Sequence, residues 1–171
     1  MKKLLREAIG IASVGTAIAI VAVCGSSNAW AQQKEIVGVW RLVSAENIGP
    51  DGVARPGSFG PTPSGRFIFT SSGHYATVNT HPGLPKFASG NRLQGTAEEN
   101  KAIVQGSNSH FGTFAVSADG KVLTLKIEGG TWPHWTGTEQ KRDLTLVGDD
   151  MAYSLASSRG GRATLVFKRV K

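Results

Sequence analysis

Apolar and polar residues alternate in short runs over residues 32–171, and turn-forming residues separate the runs. The alternation predicts strands near 37–47, 65–70, 74–80, 110–117, 121–128, 136–147, 150–156 and 162–170. The breaks fall at Asp51-Gly52, Ser72-Gly73, Asp119-Gly120, Gly148-Asp149-Asp150 and Gly160-Gly161, all strong turn formers. The stretch from Ser117 to Lys121 reads as a tight hairpin. One helix interrupts the series: Thr96 and Glu99 form a T-x-x-E capping box, helical residues follow over 97–105, and Gly106 stops them. Residues 49–64 and 81–95 read as loops. No repeat or long linker divides the chain, so 32–171 is expected to form one domain.

Period-two spacing assigns each strand two faces. Leu123, Leu125 and Ile127 share one face, as do Leu165 and Phe167, and Trp40 and Leu42. On the strand near 136–147, Leu144 and Leu146 share theirs with Arg142, Gln140 and Thr138. His74 falls with Ala76 and Val78, opposite Tyr75, Thr77 and Asn79, while His110 falls with Phe114 and Val116. Eight strands with one apolar face each can close into an antiparallel up-and-down barrel, which removes exposed edges. At that size the interior is either filled by side chains or holds one small ligand.

Residues 1–31 carry a different pattern. Lys2, Lys3 and Arg6 precede an apolar run over 9–23, and Ala29-Trp30-Ala31 supplies an A-x-A cleavage site. This reads as a secretory signal peptide removed after Ala31, which places the remainder in the periplasm or outside the cell. The run is short for a bilayer-spanning helix, which needs roughly 20 residues. Cys24 opens a lipoprotein alternative, against which stands Val23 where such processing wants a small residue. Removal after Ala31 takes away the chain's single cysteine and, with it, disulfide and thiol chemistry.

Composition is that of an ordinary globular protein, with 40% hydrophobic and 18% charged residues. The formal charge of +7 falls to +5 without residues 1–31. A positive charge would ordinarily raise nucleic acid as a partner, but export argues against it. The basic C-terminal residues Arg159, Arg162, Lys168, Arg169 and Lys171 read as a solvated face and edge protection.

Four blocks of residues resemble the bacterial and fungal lipocalin-like domain family. They are Gly38-Val39-Trp40 (the G-x-W pattern), Phe59-Gly60-Pro61-x-Pro63-x-Gly65, His110-Phe111-Gly112-Thr113-Phe114, and Pro133-x-Trp135-x-Gly137-Thr138-x-Gln140-x-Arg142. The resemblance runs from about residue 36 to 170 and implies a lipocalin-like β-barrel with a cavity. It says less about function than about fold.

Arg142 and Gln140 are the most informative pair, because alternation puts both on the leucine face and a buried guanidinium must be paired. One reading has Arg142 meet an anionic or carbonyl group of a ligand, oriented by Gln140. The other has Arg142 close one barrel end, stacked on Trp40 or bonded to backbone carbonyls. Trp132, His134 and Trp135 flank Pro133 and form either a cavity mouth or a loop packed on the rim. His74 and His110 facing a lumen would serve as acid–base groups or as satisfied core residues.

The histidines show no metal-ligand spacing, the glycines match no phosphate or dinucleotide loop, and no nucleophile elbow is present, so neither metal nor cofactor is expected. The leading expectation is an exported protein that binds a small, mainly apolar or amphiphilic molecule in a barrel. Arg142, Gln140, Trp135, Trp132, His134, His110, His74 and Trp40 would be the ligand-binding residues. The alternatives are a cofactor-independent isomerase, cyclase or dehydratase in the same cavity, and a filled barrel that acts through its surface.

Overall fold

The computed structural model describes residues 33–157 and 160–171; the signal-peptide segment and Arg159 lie outside them. Nine antiparallel strands form the fold: β1 (Gly38–Ile48), β2 (Ala54–Pro56), β3 (Ser64–Phe69), β4 (His74–Thr80), β5 (Ser107–Val116), β6 (Val122–Gly130), β7 (Glu139–Val147), β8 (Asp150–Ala156) and β9 (Arg162–Arg169). Each from β3 to β8 pairs with its successor, and β1 pairs with both β3 and β9. Eight strands therefore close on themselves as an up-and-down barrel. The ninth, β2, is three residues inside the expected 49–64 loop that add to the end of β1 through Glu46↔Pro56 and Ile48↔Ala54.

Helix α1 (Ala97–Gly106) begins at Thr96, whose hydroxyl accepts from the Glu99 amide while the Glu99 carboxylate accepts from the Thr96 amide. The reciprocal bonds satisfy two otherwise orphaned donors. The same carboxylate accepts from the Ala88 amide, which ties the 81–95 segment to the helix and holds the Glu99 pKa down. At the expected hairpin, Asp119 accepts from the Ser117 hydroxyl and the Lys121 amide. No helix among the described residues is long and apolar enough to cross a membrane.

One half of the barrel interior is a packed core. Trp40, Phe67, Phe69, Leu123, Leu125 and Phe167 are fully enclosed there. Phe67 and Phe69 stack at 4.2 Å between ring centres, and Phe114 meets Phe69 edge-on at 4.8 Å. This is the side-chain-filled solution for eight strands, but it occupies only one end.

Trp40 seals that end. Its indole N–H donates to the Ile36 carbonyl at 2.8 Å, and the Arg169 guanidinium lies 4.1 Å from the ring centre. Arg169 also donates to the carbonyls of Val37 and Glu35, and its Nε donates to Asp149. Gly38 explains the G-x-W spacing: with φ at 136°, a side chain there would be strained, and its Cβ would stand 2.9 Å from the Arg169 guanidinium. Glycine therefore clears the space in which arginine covers tryptophan. The structural role weighed for Arg142, closing an end over Trp40, belongs to Arg169 instead.

One strand departs from simple alternation, and another alternates with its polar face inward. An irregularity in the β1–β9 pairing between Leu42 and Ser44 adds a residue, so the buried set runs Trp40, Leu42 and then Ala45. On β4 the inward set is Tyr75, Thr77 and Asn79, while His74, Ala76 and Val78 face solvent. The apolar character of Ala76 and Val78 pointed the other way. The inner wall at the open end is polar, and the rule that apolar means inward fails there.

Candidate functional site

The other end of the barrel opens into a cavity of about 630 Å³, within the usual range for small-molecule sites. Its walls come from the end of β1 (Ala45, Asn47 and the exposed Glu46), the 57–59 segment, Asn79 on β4, Asn108 and His110 on β5, Trp135 in the turn before β7, Gln140, Arg142 and the exposed Lys141 at the start of β7, and the facing parts of β8 and β9 (Tyr153, Leu155, Ala163, Leu165). Phe59, Leu155, Leu165 and Trp135 supply apolar surface; Arg142, His110, Gln140 and the three asparagines supply polar groups.

Arg142 points inward because β7 alternates strictly, with Gln140 half-buried, Arg142 buried and Leu144 buried. The residue is only 3% exposed. Its Nη2 donates to the Gln140 side-chain carbonyl at 3.1 Å, and its guanidinium lies 4.9 Å from the centre of the Tyr153 ring. Its Nε–H has no partner. Among the described residues no carboxylate forms an ion pair with Arg142; the five pairs present involve Arg55, Arg162, Lys168, Arg169 and Lys171. A cation removed from water without a counter-charge costs several kcal/mol.

His110 lies in the same wall. Its Nδ1 shares a 2.9 Å hydrogen bond with the Tyr75 hydroxyl, and its ring meets Trp135 edge-on at 5.6 Å. Burial, and then the positive charge of Arg142, depress its pKa to about 3. Burial also raises the Tyr75 hydroxyl well above its ordinary range. Both groups are neutral across the physiological range, so His110 offers the cavity hydrogen bonds rather than charge.

The Pro133–Trp135 turn sets the position of the indole. Pro133 starts a single 3₁₀ turn, the Trp135 carbonyl accepts from both the amide and the hydroxyl of Thr138, and the Gly137 amide donates to the Ile127 carbonyl. The P-x-W-x-G-T-x-Q-x-R block is thus one device: a turn that places Trp135, then a strand that delivers Gln140 and Arg142 beneath it.

Four of the eight expected residues, Arg142, Gln140, His110 and Trp135, meet at the cavity. The other four do not. Trp40 belongs to the sealed end, and His74 lies on the outer wall, where its Nδ1 meets the Ser72 hydroxyl at 3.2 Å. Trp132 and His134 pair with each other at 5.6 Å on the exposed side of the turn and do not line the cavity. Of the two expected loops, 81–95 contributes no lining residue, whereas 49–64 contributes residues 57–59. Asn79, Asn108 and Tyr153 were missed, although the alternation Tyr75, Thr77, Asn79 carried the signal for the first. No group of three or more histidine, cysteine, aspartate or glutamate side chains among the described residues is placed to hold a metal ion.

A closed eight-stranded antiparallel barrel, sealed at one end and hollow at the other, is the class of protein these elements define. The chain belongs to the family described as the lipocalin-like domain, whose model matches residues 37–170. No curated protein matches it significantly. Among solved structures it is similar to a redesigned β-barrel at 14% identity and a TM-score of 0.42, covering 82% of this chain and 96% of that one.

Proposed function

We propose that this is an exported binding protein for a small, mainly apolar anion, an amphiphile whose carboxylate or phenolate sits against Arg142. The observation that carries the reading is the unpartnered Nε–H of a buried guanidinium with no carboxylate, in the wall of a cavity. An anion there completes the hydrogen bonding of Arg142 and supplies the missing counter-charge. Gln140 fixes the guanidinium, and Phe59, Leu155, Leu165 and Trp135 receive the apolar part. The neutrality of His110 favours binding over proton transfer, because a general acid or base works best with a pKa near the operating pH. Export rests on the signal-peptide pattern of residues 1–31.

Native mass spectrometry of the protein isolated from its own compartment tests the reading. A stoichiometric acidic ligand, absent from Arg142→Gln protein prepared in parallel, is expected. A neutral ligand, or one retained equally by the variant, would contradict it.

A further inference from the structure

We infer that the cavity holds a second polar subsite, formed by Asn79 and Asn108, and that the preferred ligand is a hydroxylated carboxylic acid rather than a plain one. The inference rests on the anion reading of Arg142 and extends it to the other polar end of the ligand.

Asn79 and Asn108 stand directly opposite each other on β4 and β5, and both line the cavity. Asn79 is only 2% exposed, and the side-chain carbonyl oxygens of both residues are buried without any hydrogen-bond partner. The orientation of the Asn79 amide follows from its neighbours. The Thr77 hydroxyl donates to the Arg66 carbonyl at 3.0 Å, so toward Asn79 it can only accept, and it takes the Asn79 Nδ2–H at 3.4 Å. That leaves Oδ1 as the unpartnered atom. Gly65, paired with Asn79 across β3 and β4, makes room for it, since a Cβ at that position would collide with Oδ1.

The Asn79 oxygen, an acceptor whose orientation its neighbours fix, has no donor and requires one, with the Asn108 amide beside it. A carboxylate brings none and Arg142 already faces one, so the ligand's own hydroxyl is the group that fits. Asn79 and Asn108 lie one residue from the cavity-side ends of β4 and β5, and Arg142 lies three residues in along β7, with His110 and the apolar Phe59, Leu155 and Leu165 among the other lining residues. A chain or ring bearing a carboxylate at one end and a hydroxyl at the other matches this arrangement.

The sign of the hydroxyl effect makes the test sharp. In an apolar cavity an added hydroxyl weakens binding, because it loses its water. Where the wall holds unpaired acceptors, the analogue lacking the hydroxyl is the one rejected. Titration calorimetry of the protein with unbranched C6, C8, C10 and C12 carboxylates, each with and without a terminal hydroxyl or amino group, reads that sign. At the length that spans the two subsites, the hydroxy acid is expected to bind at least about tenfold more tightly than the plain acid. Asn108→Ala, at the less buried of the two positions, should erase that preference, bringing the affinity ratio of hydroxy acid to plain acid to about one or below; Asn79→Ala should do the same.

A hydroxyl that weakens binding at every length, with plain acids still bound through Arg142, overturns the subsite and spares the anion reading. Tighter binding of the amino acids than of the hydroxy acids overturns the hydroxyl assignment in favour of an ammonium group. Failure of every carboxylate to bind removes the anion reading, and this inference with it.

Discussion

Three side chains determine the character of the cavity, and each is explained by what is absent around it. Arg142 lacks a counter-ion, Asn79 lacks a donor, and His110 has little contact with solvent. The last has a measurable consequence. Because the folded-state pKa of His110 lies at about 3 and the unfolded value near 6.5, the unfolded chain binds the extra proton between those limits. Stability is therefore full above about pH 6.5 and falls as the pH drops, by up to about 1.4 kcal/mol per unit until the folded value is reached. Asp51, Glu99, Asp119 and Asp149, whose pKa values are lowered by hydrogen bonds, add their own losses only below about pH 4.5. Chemical unfolding from pH 7.5 to 4.5 should show this slope in the native protein and its loss in His110→Asn. An unchanged slope in the variant would assign it to another group.

At the scale of elements, the barrel's two ends separate a packed core from a cavity. Arg169 covers Trp40, donates to two backbone carbonyls and pairs with Asp149, far along the barrel from the cavity lining. Its replacement by alanine should cost about 3 kcal/mol from the cation–π contact and charged hydrogen bonds together. Ligand affinity should stay unchanged. Unfolding and titration of Arg169→Ala check both halves, and a parallel loss of binding would show that the two ends are coupled. The strands were legible in the sequence because period-two alternation and the glycine turns agree, within a few residues at each end. The face of β4 was not legible, since Ala76 and Val78 are more apolar than Thr77 and Asn79, yet the polar set faces a polar cavity. Nor was the choice between Arg142 and Arg169 as the cover of Trp40. Both alternate onto plausible positions, and only the pairing of β1 with β9, Trp40 opposite Arg169, decides it.

At the scale of the whole molecule, a closed sheet removes its own edges, and the aromatic core of one half lets the other half remain hollow. Polar groups left unpaired in that hollow lower the stability of the empty protein, an arrangement common where binding is selected over stability. The site was half legible for the same reason. Arg142, Gln140, His110 and Trp135 announce themselves by residue type, whereas Asn79 and Asn108 matter only because cross-strand register brings them together. The expectation for residues 1–31 is checked by intact mass: protein recovered from its native compartment should begin at Gln32. Retention of the apolar run, or acylation at Cys24, would replace export by anchoring.

The most direct test of the account is urea unfolding of the native protein and of Arg142→Met, each with and without a saturating medium-chain carboxylate. Methionine fills similar space without a charge. The empty variant should be about 1–3 kcal/mol more stable than the empty native protein, because an uncompensated buried cation is gone. Carboxylate at a hundred times its dissociation constant should stabilise the native protein by about 2.7 kcal/mol and leave the variant unmoved. A less stable empty variant that the carboxylate still stabilises as strongly as the native protein would make Arg142 a structural residue and contradict the proposed function.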